Sequence, residues 1–263
     1  PMYAAVLVQR GETLTLGTCQ QGMRTYVAFA GGLEIPIVMG SQSTLLRAGF
    51  GGYQGRKLKA GDEIAFTRPV QTLPKWELRS VGIEVLVSKE VSVHVLLGPQ
   101  DDHFTDEGLK TFLSSPYTIR NESDRMGYRL SGPQLHHRNG ANIVTDGIAF
   151  GSIQVPSDGQ PIIMMADRQC TGGYTKIATV ISADLPVLAQ CRPGTVVHFQ
   201  TTTIEDAQAL LRKQRNWEDQ LENLLQLGGM EHTSDQKLNG YEGLPLREKI
   251  KRGIAHVKSR FKQ

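Results

Sequence analysis

Cysteine is scarce. The three present among 263 residues (Cys19, Cys170 and Cys191) are odd in number, and no two form a C-x-x-C pair. That argues against a disulfide framework and a paired-cysteine zinc site, and it fits a reducing, cytoplasmic compartment. No apolar run approaches the roughly 20 residues that span a bilayer, and none opens the chain as a signal peptide. An excess of one charge is also missing, since the formal net charge is only +3. That mean hides an asymmetry: residues 244–263 hold seven Lys/Arg and one acid, which leaves −3 on the rest. The body is therefore no nucleic-acid binder by charge. Generic catalytic motifs are missing too. There is no G-x-x-x-x-G-K-[ST] phosphate loop, no H-E-x-x-H, no G-x-S-x-G and no fixed-period repeat.

What is there reads as a globular chain, 39% hydrophobic and 21% charged, long enough for one large domain or two modest ones. Short strand-like runs separated by glycine turns fill the first 200 residues. They include Ala4–Val8, Thr13–Leu16, Arg24–Ala30, Ile64–Phe66, Val81–Val87, Val91–Leu97 and Pro161–Met165, with Asp158-Gly159 as a hairpin-type turn. This pattern predicts a mainly β protein with few helices, a barrel or sandwich. One helix is expected over Asp102–Leu113. A second is capped by Thr203, with Asp206 three residues on and an apolar stripe at Leu210, Trp217, Leu221 and Leu224, expected to dock on its own domain. Pro69 and Pro74 mark a boundary near Thr67–Ser80, and residues 228–243 read as a linker. The expected divisions are 1–75, 76–227 and 228–263.

The glycine-rich basic run Gly49–Lys57 lacks the strand-to-helix setting of a phosphate loop and reads as a tight connection between strands. His136 and His137 are adjacent, so in a strand they face opposite ways and cannot share a metal; no metal site is expected. The densest polar cluster lies between residues 120 and 176. It holds Ser123-Asp124-Arg125-Met126-Gly127-Tyr128-Arg129 and Asp167-Arg168-Gln169-Cys170-Thr171-Gly172-Gly173-Tyr174-Thr175-Lys176. A planar guanidinium, a compact ammonium and a Gly-Gly turn together suit an anion. An ion-paired barrel rim, with Asp124–Arg125 and Asp167–Arg168 satisfying one another, explains the spacing equally well.

Long ordered motifs carry a resemblance. GPQDDHF (98–104), SSPYTIRNESDRMGYRLSGPQL (114–135), the stretch from DGIAFGSIQVPSDGQPIIMMADRQCTGGYTK (146–176) on to PGTVVHF, and TYVAFAGGLEIPIVMGSQSTLLRAGFGGYQGRKLKAGDEI (25–64) resemble the 5-oxoprolinase C-subunit family. That family is also called allophanate hydrolase subunit 2, or the KipA-like biotin-dependent carboxyltransferases. The resemblance runs over residues 10–225. It implies two cyclophilin-like β-barrel units and work in a complex with the 5-oxoprolinase A and B subunits, an ATP-dependent enzyme that opens the small-molecule substrate 5-oxo-L-proline to L-glutamate. ATP is then bound here or on a partner subunit. The family pattern begins further upstream, and Gly11–Gly17 matches an interior A-G-[DE]-x-L-x-L-G segment, so the first barrel is expected to lack strands.

Two other roles follow from the same resemblance. One is a carboxyltransferase component acting on urea or a similar amide with biotin on a separate carrier, since no Met-Lys-Met acceptor occurs. The other is a regulatory protein that sequesters a kinase inhibitor resembling the B subunit. By motif position, the resemblance implies Asp167, Arg168 and Lys176 as catalytic residues, and Arg125, Gln154 and Gln169 as substrate-binding residues. In this assignment Arg168 and Lys176 hold an anionic group, Asp167 orients them or acts as base, and Gln154 and Gln169 hydrogen-bond the lactam.

The last segment spaces Leu246, Ile250, Ile254, Val257 and Phe261 at helical intervals among Lys/Arg, a basic amphipathic tail interrupted by Gly253. It offers a surface to an anionic membrane or an acidic partner, and a solvated helix is the favoured reading.

Overall fold

The computed structural model describes residues 3–68, 70, 72, 75, 76, 79 and 88–226. The strand expected at Val81–Val87, the linker and the basic tail lie outside these. Contacts divide the chain into two units, Thr25–Lys75 and the residues before and after it.

Seven strands organise the larger unit: β3 (Glu90–Leu97), β4 (Tyr117–Ile119), β5 (Gly127–Ser131), β7 (Ser152–Gln154), β8 (Ile162–Met164), β10 (Lys176–Val180) and β11 (Val196–Thr201). They close into a barrel in the order β10-β3-β11-β4-β5-β8-β7. Strand β3 shows why the sequence folds this way. Its β-branched Val91, Val93 and Val95 alternate inward, while Ser92 and His94 point outward. The alternation lets β3 pair β10 on one side and run parallel to β11 on the other, with Val91 opposite Val197 and Val93 opposite Phe199. Closure leaves no unpaired edge in the barrel.

Helix α1 (Asp106–Ser114) packs against β11. The Thr105 hydroxyl caps it by accepting the Gly108 N–H at 3.0 Å, and Asp106 and Glu107 sit in its first turn, where the helix dipole favours acids. Its Phe112 stacks on Phe199 at 4.4 Å between ring centroids, with Tyr117 tilted against both. The sequence placed this helix at Asp102. Residues Asp101–His103 instead form a separate 3-10 turn.

Helix α2 (Leu185–Gln190) precedes β11, and α3 (Ile204–Gln226) follows it. The expected cap of α3 is present: Thr203 Oγ1 accepts the Asp206 N–H at 3.1 Å and donates to its carboxylate at 2.8 Å. The expected docking differs. No residue of α3 among those described is buried, and Leu210, Trp217 and Leu221 are only half-covered.

Outside the barrel, β6 (Asn142–Gly147) and β9 (Thr171–Tyr174) form a two-stranded flap. In Thr25–Lys75 the only ladder among the described residues is β1 (Thr44–Leu45) with β2 (Phe50–Gly51). The strands read at Ala4–Val8, Thr13–Leu16, Arg24–Ala30 and Ile64–Phe66 are not formed, apart from isolated bridges such as Leu33 with Phe66. Their side chains are largely exposed, as for Tyr26 at 84%, and strand propensity without a paired neighbour builds no ladder. Residues 19–24 are instead strapped to α2. The Gln190 side-chain oxygen accepts the Met23 and Arg24 N–H groups, and Arg192 donates to the Gly22 carbonyl.

The Gly49–Lys57 run is a tight connection, as expected. Gly55 has φ +66°, and an added Cβ would stand 2.0 Å from the Gly49 carbonyl oxygen, so only glycine fits. Its basic end is spent locally, because Arg56 grips both oxygens of Asp62 at 2.7 Å.

Candidate functional site

Strands β7 and β10 pair so that Lys176 lies directly opposite Gln154. Their neighbours Ile153 and Ile177 are fully buried in the barrel core. Alternation therefore turns Gln154 and Lys176 outward, yet both are buried, at 2% and 3% exposure. The β6–β9 flap covers them. Lys176 Nζ donates to Asp146 Oδ2 at 2.6 Å and to the Gly147 carbonyl at 3.1 Å, both at the end of β6. Across the flap Asp146 is the ladder partner of Gly172 in β9.

Burying an ammonium is expensive unless it is paired, and Asp146 supplies the pair. The Lys176 ammonium holds the Asp146 carboxyl below its ordinary range, helped by the Gly147 N–H and the Gln100 side chain. Gln100 also accepts the Lys176 backbone N–H at 3.2 Å, so one side chain braces both partners. Gln154 is different. Its Nε2 is buried with no hydrogen-bond partner, which costs about 1–3 kcal/mol relative to a satisfied group.

The remaining candidates divide. Gln169 is exposed at the start of the turn into β9, and it and Gln154 both aim their Nε2 atoms at Gly172, where an added Cβ would lie 3.5 and 3.0 Å from them. Arg168 donates Nε to the Ile148 carbonyl at 3.0 Å and lies over the Phe150 ring at 5.5 Å. No carboxylate meets it among the described residues, so its charge remains available to an anion. Ile148 links it to the flap, since its Cδ1 would stand 2.6 Å from a Cβ on Gly172.

Arg125 and Asp167 are brought together with each other instead. They form a two-pronged pair at 2.8 and 2.9 Å, and the Asp167 N–H bonds the Arg125 carbonyl at 2.8 Å. The sequence paired Asp167 with Arg168 and Asp124 with Arg125. In the structure Asp124 accepts the Met126 and Gly127 N–H groups, closing a local turn. Asp167 touches neither the Arg168 nor the Lys176 side chain. Its two oxygens are occupied by a guanidinium, which leaves it poorly placed to orient them or to take a proton.

Sequence reasoning missed Asp146, Gln100 and Gly172 as members of the site. Each lies inside a motif quoted above, but Asp146 and Lys176 stand 30 residues apart, and only the flap register joins them. His137 stays a structural side chain: it is half-buried, bonds the Val155 carbonyl and Thr175 hydroxyl at 3.1 Å, and burial pulls its pKa down. Among the described residues no group of three or more His, Cys, Asp or Glu is placed to hold a metal, and no helix is long and apolar enough to cross a membrane. A separate groove of about 480 Å³ at the foot of α3, lined by His94, Thr201, Asp206 and Lys213 among others, contains none of the candidates.

Comparison with known proteins matches this arrangement to one domain type. A profile of the carboxyltransferase domain, subdomains A and B, matches residues 1–201. The chain is 38% identical over 214 residues to the 5-oxoprolinase C subunit of Escherichia coli, covering 81% of this chain and 67% of that protein. It is equally identical over 224 residues to the 5-oxoprolinase C subunit of Haemophilus influenzae, covering 85% and 70%. The crystal structure of Kluyveromyces lactis urea carboxylase superposes with a TM-score of 0.66 at 28% identity, covering 82% of this chain and 21% of that one.

Proposed function

We propose, since this chain belongs to the carboxyltransferase domain family (subdomains A and B), that it is the C subunit of an ATP-dependent 5-oxoprolinase. With the A and B subunits it opens 5-oxo-L-proline to L-glutamate in the cytoplasm. The observation that carries this reading is the 38% identity to two proteins of that name across most of the chain. The candidate site agrees with a small amide bearing a carboxylate. Arg168 offers a guanidinium that no carboxylate among the described residues neutralises, while the Lys176 ammonium is held in the flap region by its ion pair with Asp146. Gln154 and Gln169 supply neutral donors to the lactam. The ion pair with Arg125 leaves Asp167 a supporting part, fixing the segment that bears Arg168 and Gln169.

The glycine-rich basic run Gly49–Lys57 does not supply a cradle for ATP. It has its Arg56 clamped on Asp62 and leads into no helix, so in this reading the nucleotide is bound on a partner protein of the complex. Co-production with the A and B subunits and an assay of glutamate release from 5-oxoproline tests the proposal. Arg168→Ala and Lys176→Ala are each expected to lower turnover about 100-fold, the scale of a lost charge-stabilising donor. Undiminished turnover in both would overturn the assignment.

The likeness to urea carboxylase favours a second reading, carboxyl transfer from carboxybiotin to urea or a related amide. Biotin would arrive on a separate carrier. ATP- and bicarbonate-dependent urea carboxylation by the chain with a biotin carboxylase and a biotinylated carrier, and no glutamate release, would select it.

A further inference from the structure

We propose that Asp146 is a specificity-determining latch, whose carboxylate occupies the place beside Lys176 that a ligand's own carboxylate takes by exchange, so that neutral amides are refused there. The proposal rests on the 5-oxoprolinase reading and deepens it.

The two partners of this ion pair are unequal. Lys176 stands on β10 beneath the flap with its side chain 3% exposed, whereas the Asp146 side chain is 54% exposed. Asp146 therefore reaches the ammonium from the solvent side, along a path that opens to water. A carboxylate that swings away along it is hydrated, but the ammonium left behind is a buried charge without a counter-ion. Exchange thus favours a group that brings negative charge with it, and it penalises one that does not.

The flap leaves Asp146 room to go. The β6–β9 register breaks between Asn142 and Asp146, and Val144 inside that break is 91% exposed. Asp146 Oδ1 accepts the N–H of its own neighbour Gly147 at 2.7 Å, a bond that moves with the segment. Gly147 is exposed, and an added Cβ there would meet nothing within 4 Å. Lys176 is fixed by comparison, because its strand pairs with β7 and Gln100 accepts its backbone N–H at 3.2 Å. Asp146 is also the ladder partner of Gly172, against which the Gln154 and Gln169 amides pack. A carboxylate in its place sets the rest of a small ligand close to those amides. 5-Oxo-L-proline carries such a carboxylate beside its lactam, and urea has no charge to exchange.

The test has a binding arm on the full chain and a turnover arm in complex with the A and B subunits. In the first, 5-oxo-L-proline is expected to raise the wild-type melting temperature, and 2-pyrrolidinone, the same lactam without the carboxylate, is not. Asp146→Asn is expected to melt lower without ligand and to gain more from 5-oxo-L-proline than the wild type does. In the second, Asp146→Asn is expected to lower KM for 5-oxo-L-proline about 10-fold, because the site is no longer latched most of the time. An unchanged or higher KM is what a merely structural or substrate-contacting Asp146 gives, and it overturns the latch. Should Asp146→Asn fail to fold, Arg168→Ala decides in the binding arm. The preference for 5-oxo-L-proline over 2-pyrrolidinone is expected to survive that change, and its loss puts the carboxylate on Arg168 and overturns the latch. Equal shifts by the two lactams in the wild type overturn it too, and continued glutamate release then leaves the 5-oxoprolinase reading standing. No glutamate release from the wild-type complex overturns that reading, and the binding arm still judges the latch.

Discussion

The barrel and the Thr25–Lys75 unit are written in similar residues, with short apolar runs between glycines, yet they are held together differently. In the barrel the alternating valines of β3 and the aromatic trio Phe112, Tyr117 and Phe199 are buried within closed ladders. In Thr25–Lys75 the buried positions among the described residues are Gly52 and Gly55. Cohesion there comes from local links. Arg56 holds Asp62, the Tyr53 hydroxyl donates to the Glu63 carbonyl at 3.1 Å, and Phe29 lies 6.0 Å from Phe66 between ring centroids. The difference teaches that glycine turns and strand propensity shape a segment only locally. Apolar burial requires that the strands find partners far along the chain.

The largest expected effect is on that contrast itself. Phe199→Ala or Tyr117→Ala should cost about 3–5 kcal/mol in denaturant unfolding, as truncating a fully buried aromatic does. Leu58→Ala, at a side chain 62% exposed, should stay within about 0.5 kcal/mol. Comparable losses at both places would break the comparison.

The ion pairs sharpen it next. Asp146→Asn strips the partner from a buried ammonium, whereas Asp62→Asn strips it from a guanidinium about a third exposed, so the first should lower the melting temperature more. The acid limb has the same origin. Asp62 is pulled down to about 2, first by the Arg56 side-chain bond and then by the Lys59 N–H, and Asp146 is pulled down chiefly by Lys176. A carboxyl lowered in the folded state stabilises above its unfolded pKa and loses that contribution as pH falls through the folded value. For Asp62 the window therefore runs from about 4 down to about 2. NMR titration should give its midpoint near 2, and Arg56→Met should return it towards 3.8. A midpoint unmoved by that change would remove Arg56 as the cause.

The smallest effect needs no substitution. Cys170 is exposed beside Gln169, while Cys191 is buried in the core and its thiol is pushed up to about 11 by desolvation. A thiol reagent should label Cys170 in the folded chain and reach Cys191 only on unfolding. Equal labelling rates would show that the barrel opens where the packing says it is closed.

Much of this was legible in the residues. The period-two valines marked β3, Thr203 with Asp206 marked the start of α3, and Asp158-Gly159 marked the turn between β7 and β8. Of the candidate site, Gln154, Arg168, Gln169 and Lys176 came from the motifs and do converge on the flap region. Their partners did not come from the motifs. Arg125 was assigned to the substrate and lies against Asp167, 42 residues away, while Lys176 was read without Asp146.

By itself the sequence determined what is local: which segments alternate, where helices are capped, which charges and amides the chain carries, and the family motifs they form. Only the tertiary structure decided which strands close the barrel, that β3 lies parallel to β11, and that Gln154 and Lys176 face outward beneath a flap. It also decided that Gln154 and Gln169 both pack their amide nitrogens against Gly172. The reason is physical. A hydrogen bond within a turn is set by neighbouring residues, whereas a ladder joins segments whose separation leaves no trace in spacing until register aligns them.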